Sequence, residues 1–306
     1  MKNPLVSIII PTYKRPTDLI RAIESVLSQS YKNIEIKVVD DNNPDTPERK
    51  ETEILMKQFK DQERVEYIQH ENNKGGSAAR NTGWKKSKGE YITFLDDDDE
   101  ISPDKIKKQV ECLEQLDKTW GACYTGYKVI KPNGGYQISG EHRSGDLYIG
   151  ALMRTLFMGS GSNLFLRKSV VDEINGYDES FVRNQDIEFM ARALENYKLA
   201  YIDEVLLTIY QDGNRAVRTY EQLEKYAENY CRKFDDRIKK LDSKDKERVM
   251  AVISLERCRV AFYKKHYKDG LCILKYNHVK FVYVYRYMKY LVHRLITQKS
   301  YGFEGK

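Results

Sequence analysis

The sequence predicts an α/β fold with a mostly parallel sheet, helices on both of its faces and a helical appendage at its C-terminal end. Two observations support this fold class. Short apolar strands alternate with helical segments in the first half of the chain, which argues for parallel strands joined by helices. From Tyr220 onward the sequence changes to helical patterns rich in Lys, Arg and Tyr. We therefore predict two regions, residues 1–219 and residues 220–306.

Four strands with intervening helices are predicted in the first hundred residues. Proline in the first turn marks helix starts at Pro16 and Pro47, and a third helix follows Gly75 and Gly76. Apolar, β-branched and aromatic runs mark the strands, at 5–10, 34–39, 65–68 and 91–95.

Further elements follow the fourth strand. Helical spacing of apolar residues predicts a helix after Pro103, and a β-rich run predicts a strand over 121–130. The Asn-Gly-Gly sequence at 133–135 is a hairpin turn signal. Residues 147–157 are predicted to be helical, and another helix is predicted to begin within 184–186.

The composition is that of a globular chain with a large core. The chain has 306 residues, 41% of them hydrophobic, and its 52 basic and 46 acidic side chains leave a net charge of +6. A basic excess this small does not by itself indicate nucleic acid, and we expect no nucleic-acid partner. Five scattered cysteines favour reduced thiols in the cytoplasm. We expect no signal peptide, because the first residues lead directly into a strand, and no apolar run of about 18 residues predicts a membrane span.

Four consecutive carboxylates, residues 96–99, directly follow the strand at 91–95. A buried strand that runs into such a cluster is unfavourable unless another charge neutralises it. A divalent cation with oxygen ligands would do so. Asp96 and Asp98 would point the same way if the strand continued, because strand side chains alternate. The alternative is a solvated acidic loop, although such loops do not normally follow five apolar or β-branched residues.

Two other strands also end in polar residues. Thr12 and Tyr13 follow the first strand, and Asp40 and Asp41 follow the second. The carboxyl ends of parallel strands share one edge of a sheet, where open α/β folds bind ligands. An Asx turn that leaves the strand is the alternative explanation for the two acids.

Two nucleotide-binding motifs are missing from this sequence. The first strand is followed by Pro-Thr-Tyr-Lys-Arg at 11–15 rather than the glycine-rich dinucleotide fingerprint, and no P-loop sequence occurs. The helix after Gly75 and Gly76 carries Arg80 and is preceded by Lys74, so its N-terminus could face an anion. A simple glycine turn is the alternative.

Five segments, in order, resemble a known family: residues 6–15, 38–41, 73–81, 89–99 and 185–186. They are similar to the nucleotide-sugar-dependent, inverting glycosyltransferases of family 2, of the bacterial surface-polysaccharide type. Each segment alone is weak, whereas five in order over about residues 5–215 are specific. The resemblance implies the GT-A fold, in which a Rossmann-like, mostly parallel sheet is flanked by helices. It also implies transfer from a nucleotide-diphosphate sugar, expected to be a UDP-sugar, to a saccharide or lipid-linked acceptor in capsular or cell-surface polysaccharide synthesis.

The resemblance also implies residue roles. Asp41 would bind the base, Asp96 would meet the ribose, Asp98 would ligate Mn²⁺ or Mg²⁺, and Asp186 would be the catalytic base. The acceptor side would comprise Gly159, Ser160 and Gln185, where Gln185 stands in place of the family's Glu. The remaining donor-binding residues would be Pro11, Thr12, Tyr13, Asp40, Gly75, Arg80, Asp97 and, in a mobile loop, Arg215 or Arg218.

The chemistry of these residue types agrees with such a role. A departing nucleotide diphosphate concentrates negative charge, which a cation would stabilise, and an acceptor hydroxyl needs a base to take its proton. Asp186 is otherwise explained as a first-turn helix acid, and Arg215 and Arg218 as solvated surface residues. Two other functions stay open: a sugar nucleotidyltransferase, for which Lys14 and Arg15 are the only sign of a sugar-phosphate site, and a non-catalytic partner, favoured only by Gln185.

The C-terminal region ends in an aromatic and basic segment, residues 279–296. Apolar residues at helical spacing predict one helix that includes residues 223–230 and a second that includes residues 249–262, and a third is predicted to begin at Gly270. The terminal segment could lie on an anionic membrane surface, beside a lipid-linked acceptor at the inner face of the membrane. The alternative is a helix packed on the domain with its basic edge in water.

Overall fold

The computed structural model describes residues 3–211 and 218–305, which form two compact units. The first unit comprises residues 3–146 and 158–211 and contains the sheet. The second comprises residues 147–157 and 218–305 and is helical. The domain boundary after residue 219 stays a prediction. No sequence pattern pointed to the association of residues 147–157 with the C-terminal helices.

The described strands form one nine-stranded sheet. Its order is β3-β2-β1-β4-β8-β6-β9-β5, with β7 beside β6. Strands β1 to β4 pair in parallel, as do β6 and β9, whereas the remaining pairs are antiparallel. The strands are β1 (Val6–Thr12), β2 (Ile34–Asp40), β3 (Val65–Gln69), β4 (Tyr91–Phe94), β5 (Asp99–Ile101), β6 (Trp120–Ile130), β7 (Tyr136–Ile138), β8 (Phe165–Arg167) and β9 (Lys198–Tyr210).

The helices divide between the two units. Those of the first unit are α1 (Pro16–Leu27), α2 (Pro47–Met56), α3 (Gly76–Lys86), α4 (Lys105–Gln115), α6 (Lys168–Glu173) and α7 (Gln185–Ala193). Those of the second unit are α5 (Tyr148–Leu152), α8 (Tyr220–Lys239), α9 (Ser243–Tyr263), α10 (Tyr267–Tyr276) and α11 (Phe281–Thr297). The predicted helix over 147–157 is thus only five residues long.

Strand β1 is buried on both faces, and this sets the position of the helices beside it. Ile8 and Ile10 belong to a core cluster with Leu19 and Ile23 of α1, and burying such a side chain stabilises the fold by about 1.5–3 kcal/mol. Helix α3 packs against β1 through Gly83, where an added Cβ would lie 2.4 Å from the Ile9 Cγ2 atom. The absence of a side chain at Gly83 therefore lets α3 approach the strand closely.

Strands β5, β8 and β9 were not predicted. Strand β5 begins at Asp99, the last of the four consecutive carboxylates at 96–99, which are called the acidic run below. It pairs with the end of the long strand β9. The acidic run is therefore held between two strands of the same sheet. Sequence reasoning missed β5 because a short acidic segment has no strand periodicity, and β9 because its middle residues are exposed and charged.

The second unit is built on α8 and α9. A capping box joins Thr219 and Gln222 at the start of α8, and Asp242 caps α9 by accepting two backbone hydrogen bonds. The predicted helix start at Gly270 is wrong, because α10 begins at Tyr267. Gly270 lies inside that helix against the ring of Phe262, where its small size serves packing rather than termination. Helix α11 occupies most of the aromatic and basic segment.

Candidate functional site

The ends of β1, β2 and β4 meet at one edge of the sheet. The Thr12 hydroxyl donates a 2.8 Å hydrogen bond to the Asp97 carboxylate, which follows β4. The Asp41 backbone N–H, which follows β2, donates to the Thr12 carbonyl oxygen at 2.9 Å. Residues that are 85 positions apart in the sequence are therefore in direct contact. The parallel pairing of these strands accounts for the arrangement.

Asp40 is fully buried and makes its contacts within the protein. Its carboxylate accepts hydrogen bonds from the Asn42 backbone and side chain, at 2.9 and 2.8 Å, and from the Tyr67 hydroxyl at 2.5 Å. The Arg49 guanidinium forms an ion pair with it at 3.1 Å. These partners satisfy the buried charge, as such a group requires. The geometry therefore gives Asp40 a structural part at the end of β2, and donor binding by its carboxylate stays a prediction.

Asp41 holds the loop that precedes α3. Its carboxylate accepts hydrogen bonds from the backbone N–H groups of Lys74 and Gly75, at 2.7 and 2.8 Å. The Asn73 amide donates at 2.9 Å, and the His70 ring nitrogen lies at 2.7 Å. Gly75 adopts a positive φ of 90°, which glycine tolerates without strain. Asp41 therefore fixes the N-terminus of α3, and a contact with a base stays a prediction.

Arg80, on α3, reaches the acidic run. Its guanidinium donates to the Asp96 carboxylate at 2.5 Å and to the Gly76 carbonyl oxygen at 3.1 Å. It also lies 5.5 Å from the centre of the Tyr177 ring, within the range of a cation–π contact. Burial lowers the Arg80 pKa, but the charge and hydrogen bond of Asp96, together with Tyr177 and Asp186, raise the pKa overall. Arg80 therefore stays charged and neutralises part of the acidic cluster.

Asp97 and Asp98 share one cation, Arg15. The Arg15 guanidinium lies 3.2 Å from Asp97 and 2.8 Å from Asp98, and Asp97 also accepts from the Thr12 hydroxyl and the Tyr13 backbone. Burial raises the pKa of Asp97 to about 7, with Arg15 opposing the shift. Burial also raises the Asp98 pKa, again against Arg15. The two carboxylates are therefore incompletely neutralised by protein groups.

Asp99 ties the acidic run to the segment at 159–163. Its carboxylate accepts hydrogen bonds from the hydroxyls of Ser160 and Ser162, at 2.7 and 2.6 Å. The Ser162 hydroxyl also accepts from the Asp96 backbone N–H at 2.9 Å. Behind this segment the fully buried Lys105 donates to the Ser162 carbonyl oxygen at 3.3 Å. Burial raises the pKa of Asp99, and the charge of Asp96 raises it further.

Asp186 lies in the first turn of α7, close to the same cluster. An added Cβ at Gly161 would lie 3.6 Å from the Asp186 Cβ atom, in ordinary van der Waals contact, so the segment at 159–163 lies beside Asp186. Burial raises the pKa of Asp186, and the charge of Asp96 raises it further. Arg80 and backbone N–H groups of the helix oppose these effects. Asp186, Asp96 and Arg80 therefore form one electrostatic group.

The other predicted site residues are distributed as follows. A Cβ added at Gly76, the first residue of α3, would lie 4.0 Å from the side-chain amide nitrogen of Gln185. Gly159 has a positive φ of 89° and packs against β9, and Pro11 is half-buried near the end of β1. Arg218 lies in the second unit, before α8, and Arg215 lies outside the described residues. Roles for both arginines stay predictions.

The acidic residues 96–99 at this edge of the sheet, called the acidic edge below, offer the oxygen ligands that a hard divalent cation prefers. Carboxylate oxygens are the ligands that Mg²⁺ and Mn²⁺ prefer, and Asp96 and Asp98 supply them beside incompletely neutralised charge. Within residues 3–211 and 218–305, however, no three or more His, Cys, Asp or Glu side chains group as a metal site. An ion at Asp98 would therefore complete its shell with water and ligand phosphates, as Mg²⁺ commonly does.

Several contacts of this edge were not anticipated from the sequence. His70, Ser162 and Lys105 were not named as site residues, and Arg15 was considered only for a sugar phosphate. Each lies far along the chain from at least one partner, so no local pattern identifies it. The only sequence signal for one of these residues was the position of Arg15, which lies two residues after Tyr13 at the end of the first strand.

Comparison with known proteins identifies the family. The sequence profile described as "Glycosyl transferase family 2" matches residues 7–174, which is more than half of the chain. The chain belongs to glycosyl transferase family 2. An "Uncharacterized glycosyltransferase" of Rickettsia typhi is 33% identical over 231 residues, 73% of this chain and 70% of the relative. A "Putative teichuronic acid biosynthesis glycosyltransferase" of Bacillus subtilis is 34% identical over 132 residues, 43% of this chain and 50% of the relative.

Solved structures show that this family member has the GT-A fold. Residues 1–349 of S. aureus TarS in complex with UDP-GlcNAc superpose with a TM-score of 0.65 and 17% identity, over 84% of this chain and 72% of that TarS chain. A Pyrobaculum calidifontis mannosyltransferase in complex with GDP-Man and Mn²⁺ gives a TM-score of 0.60 and 16% identity, over 90% and 76%. The predicted family and fold class are therefore confirmed.

Proposed function

We propose that this family 2 glycosyltransferase is an inverting enzyme that uses a nucleotide-diphosphate sugar, expected to be a UDP-sugar. The acceptor would be a hydroxyl group of a saccharide or of a lipid-linked saccharide, in the synthesis of a surface polysaccharide such as a capsule. The observation that carries the proposal is the cluster of Arg80, Asp96, Asp98 and Asp186 at the end of parallel strands. The complexes of TarS with UDP-GlcNAc and the teichuronic acid relative support the donor and pathway classes.

The donor would lie along the edge formed by β1, β2 and β4. The Tyr13 side chain is 43% exposed, so its ring is available to stack on a base. Asp97 holds this part of the chain by accepting hydrogen bonds from Thr12 and the Tyr13 backbone. Asp41 fixes the start of α3, and α3 in turn carries Arg80 toward Asp96. These residues would bind and orient the nucleotide before transfer.

Asp186 would act as the base for the acceptor hydroxyl. Burial and Asp96 raise its pKa above that of an exposed carboxylate, which makes it a better proton acceptor. Attack by the activated hydroxyl on the face opposite the leaving group would invert the anomeric centre. A divalent cation held by Asp98, with Asp96 beside it, would supply positive charge for the departing diphosphate. The Mn²⁺ in the mannosyltransferase complex supports this assignment.

Replacement of Arg15 by Ala is predicted to strengthen Mn²⁺ binding by about fivefold, the equivalent of one partly exposed ion pair. The reason is that the Arg15 guanidinium lies 2.8 Å from the Asp98 carboxylate and would compete with a metal ion there. Isothermal titration of Mn²⁺ into the free protein measures the effect. Lys14→Ala is the control, because it removes a neighbouring charge whose described contact is with the Tyr13 ring. Weaker Mn²⁺ binding by Arg15→Ala than by Lys14→Ala would contradict competition.

A panel of nucleotide sugars tests the proposed function. Each compound is added to the protein with and without Mn²⁺, and the thermal unfolding midpoint is measured. We expect one nucleotide-diphosphate sugar to raise the midpoint more than the others, with a larger shift when Mn²⁺ is present, because ligands of the folded state stabilise it by mass action. The selected donor is then incubated with the protein to measure its slow hydrolysis.

The same panel separates the alternative functions. Stabilisation by a nucleoside triphosphate together with a sugar 1-phosphate, but by no nucleotide sugar, would favour a sugar nucleotidyltransferase. Donor binding without hydrolysis or transfer would favour a non-catalytic partner, to which Gln185 in place of Glu first pointed. We propose that the reaction takes place on the cytoplasmic side, at the inner face of the membrane, where the five scattered cysteines would remain reduced.

A further inference from the structure

Helix α11 exposes an apolar stripe on its outer side. The stripe residues recur at spacings of three and four, so they lie on one face of the helix. Their exposed fractions range from 51% to 79%, which is high for side chains of this size. The members of the α11 stripe are Phe281, Tyr285, Met288, Val292, Leu295 and Ile296.

The opposite face of α11 is anchored within the second unit. Tyr283, Tyr287 and Tyr290 are buried. The Tyr287 hydroxyl donates to Glu256 of α9 at 2.6 Å, and the Tyr290 hydroxyl donates to the carbonyl oxygen of Tyr301 at 2.7 Å. The orientation of the helix is therefore set by its tyrosine face. The α11 stripe is exposed because of this orientation and not because the helix is unpacked.

One edge of the stripe is basic. Arg286, Lys289 and His293 are exposed and lie together on the helix because they are three or four residues apart. Helix α11 contains no Asp or Glu. The surface thus combines an apolar stripe with a cationic edge, which is the pattern of a helix that lies in a membrane interface.

We propose that the α11 stripe and its basic edge form a docking surface for a bilayer that contains anionic lipid. The apolar side chains would enter the boundary between headgroups and acyl chains, and Arg286 and Lys289 would meet the anionic headgroups. Helix α11 would then lie parallel to the membrane surface. No helix in the described part of the chain is long and apolar enough to span a bilayer.

A second copy of the chain is the competing occupant. The three-and-four spacing of the stripe also suits helix pairing. Two α11 helices paired through their stripes would, however, bring two cationic edges together without an acidic residue from either helix. Like charges at such a seam are unfavourable. Charge complementarity therefore favours an anionic lipid surface over self-association.

Vesicle flotation of the full chain tests this inference. The protein is mixed with vesicles of phosphatidylcholine alone, or of phosphatidylcholine with phosphatidylglycerol, and centrifuged in a density gradient. We expect flotation with the anionic vesicles and its loss at high salt. The double variants Phe281→Ser with Leu295→Ser, and Arg286→Glu with Lys289→Glu, should each lower vesicle partitioning by about tenfold or more.

Matched controls place the same changes elsewhere on the surface. Ile54→Ser with Val182→Ser removes two apolar side chains that are 63% and 73% exposed, and Lys57→Glu with Lys60→Glu reverses two exposed charges. Both controls should float like the unmodified protein. Thermal unfolding verifies that every variant is folded.

Three results would overturn the inference. The first is that the unmodified protein does not float with anionic vesicles, and the second is that the α11 variants float as well as the controls. The third is that the protein forms a concentration-dependent dimer that the double variant Phe281→Ser with Leu295→Ser abolishes. The last result would assign the stripe to a second copy. Because flotation requires neither donor nor transfer, its outcome is independent of the proposed function.

Discussion

Asp186→Asn is expected to remove sugar transfer and to leave donor binding intact. Asparagine preserves the size of the side chain in the first turn of α7 but cannot accept the acceptor's proton. Loss of a positioned base lowers kcat by about 10²–10⁴-fold. Donor affinity should stay unchanged or increase slightly, because the substitution removes a negative charge near Asp96. Single-turnover transfer and calorimetric donor binding measure the two quantities separately.

The matched control is Asp245→Asn, which removes a first-turn acid from α9 in the second unit. That variant should transfer sugar at the unmodified rate. Retained transfer in Asp186→Asn would exclude Asp186 as the base. Loss of both transfer and donor binding would instead indicate that Asp186 supports the structure of the donor site.

The pH dependence of transfer provides a second readout of the same carboxylate. Burial and Asp96 raise the Asp186 pKa above the usual value of 3.8. A base works only when it is deprotonated, so kcat should fall as the pH decreases through this raised pKa. The decline should therefore begin at a higher pH than an exposed aspartate would produce. The pH profile of kcat, measured with saturating donor, checks the direction of the shift.

Asp98→Ala is expected to abolish metal-dependent use of the donor. Asp98 supplies a carboxylate at the acidic edge whose neutralisation by Arg15 is incomplete. If it holds the cation that stabilises the leaving diphosphate, its loss should lower kcat by about 10²–10³-fold, as for other single groups that stabilise a developing charge. Calorimetry with Mn²⁺ and donor together should also show weaker binding.

Asp18→Ala is the control for a change in the local field. Asp18 lies on α1, where it pairs with Arg21, and its negative charge raises the Asp98 pKa as Asp96 does. The control should retain metal-dependent donor binding. If the unmodified protein binds donor equally well with and without Mn²⁺, or if Asp98→Ala retains the Mn²⁺ effect, Asp98 is not the metal ligand.

The fold was predictable where local patterns are strong. Strand β1 is a nearly uninterrupted apolar run, β2 is rich in Ile and Val, and prolines mark the starts of α1 and α2. The same reasoning failed where a pattern has two structural meanings. Gly270 was interpreted as a helix start, although it serves close packing inside α10. Strand β5 was missed because its pairing with β9 depends on residues more than 100 positions away.

The sequence predicted which strand ends form the site, but it did not predict the hydrogen bonds that connect the site residues. Parallel topology explains why Thr12, Asp41 and Asp97 meet, and the family resemblance added Asp186. The contacts that position these groups join distant residues, as in the pair of Asp41 and His70 or the pair of Asp99 and Ser162. His70 and Ser162 have no sequence signature of their own, because nothing in the residues beside them distinguishes them from an ordinary surface His or Ser.

The close contact of Gly83 with Ile9 limits which sequences can keep this arrangement. A methyl group at position 83 would have to push α3 away from β1 or distort Ile9, and overpacking of this kind costs about 1–3 kcal/mol. Because Arg80 belongs to the same helix, an outward shift would also lengthen its contact with Asp96. In a saturation library selected for transfer, position 83 should therefore be as intolerant as a residue that touches the donor.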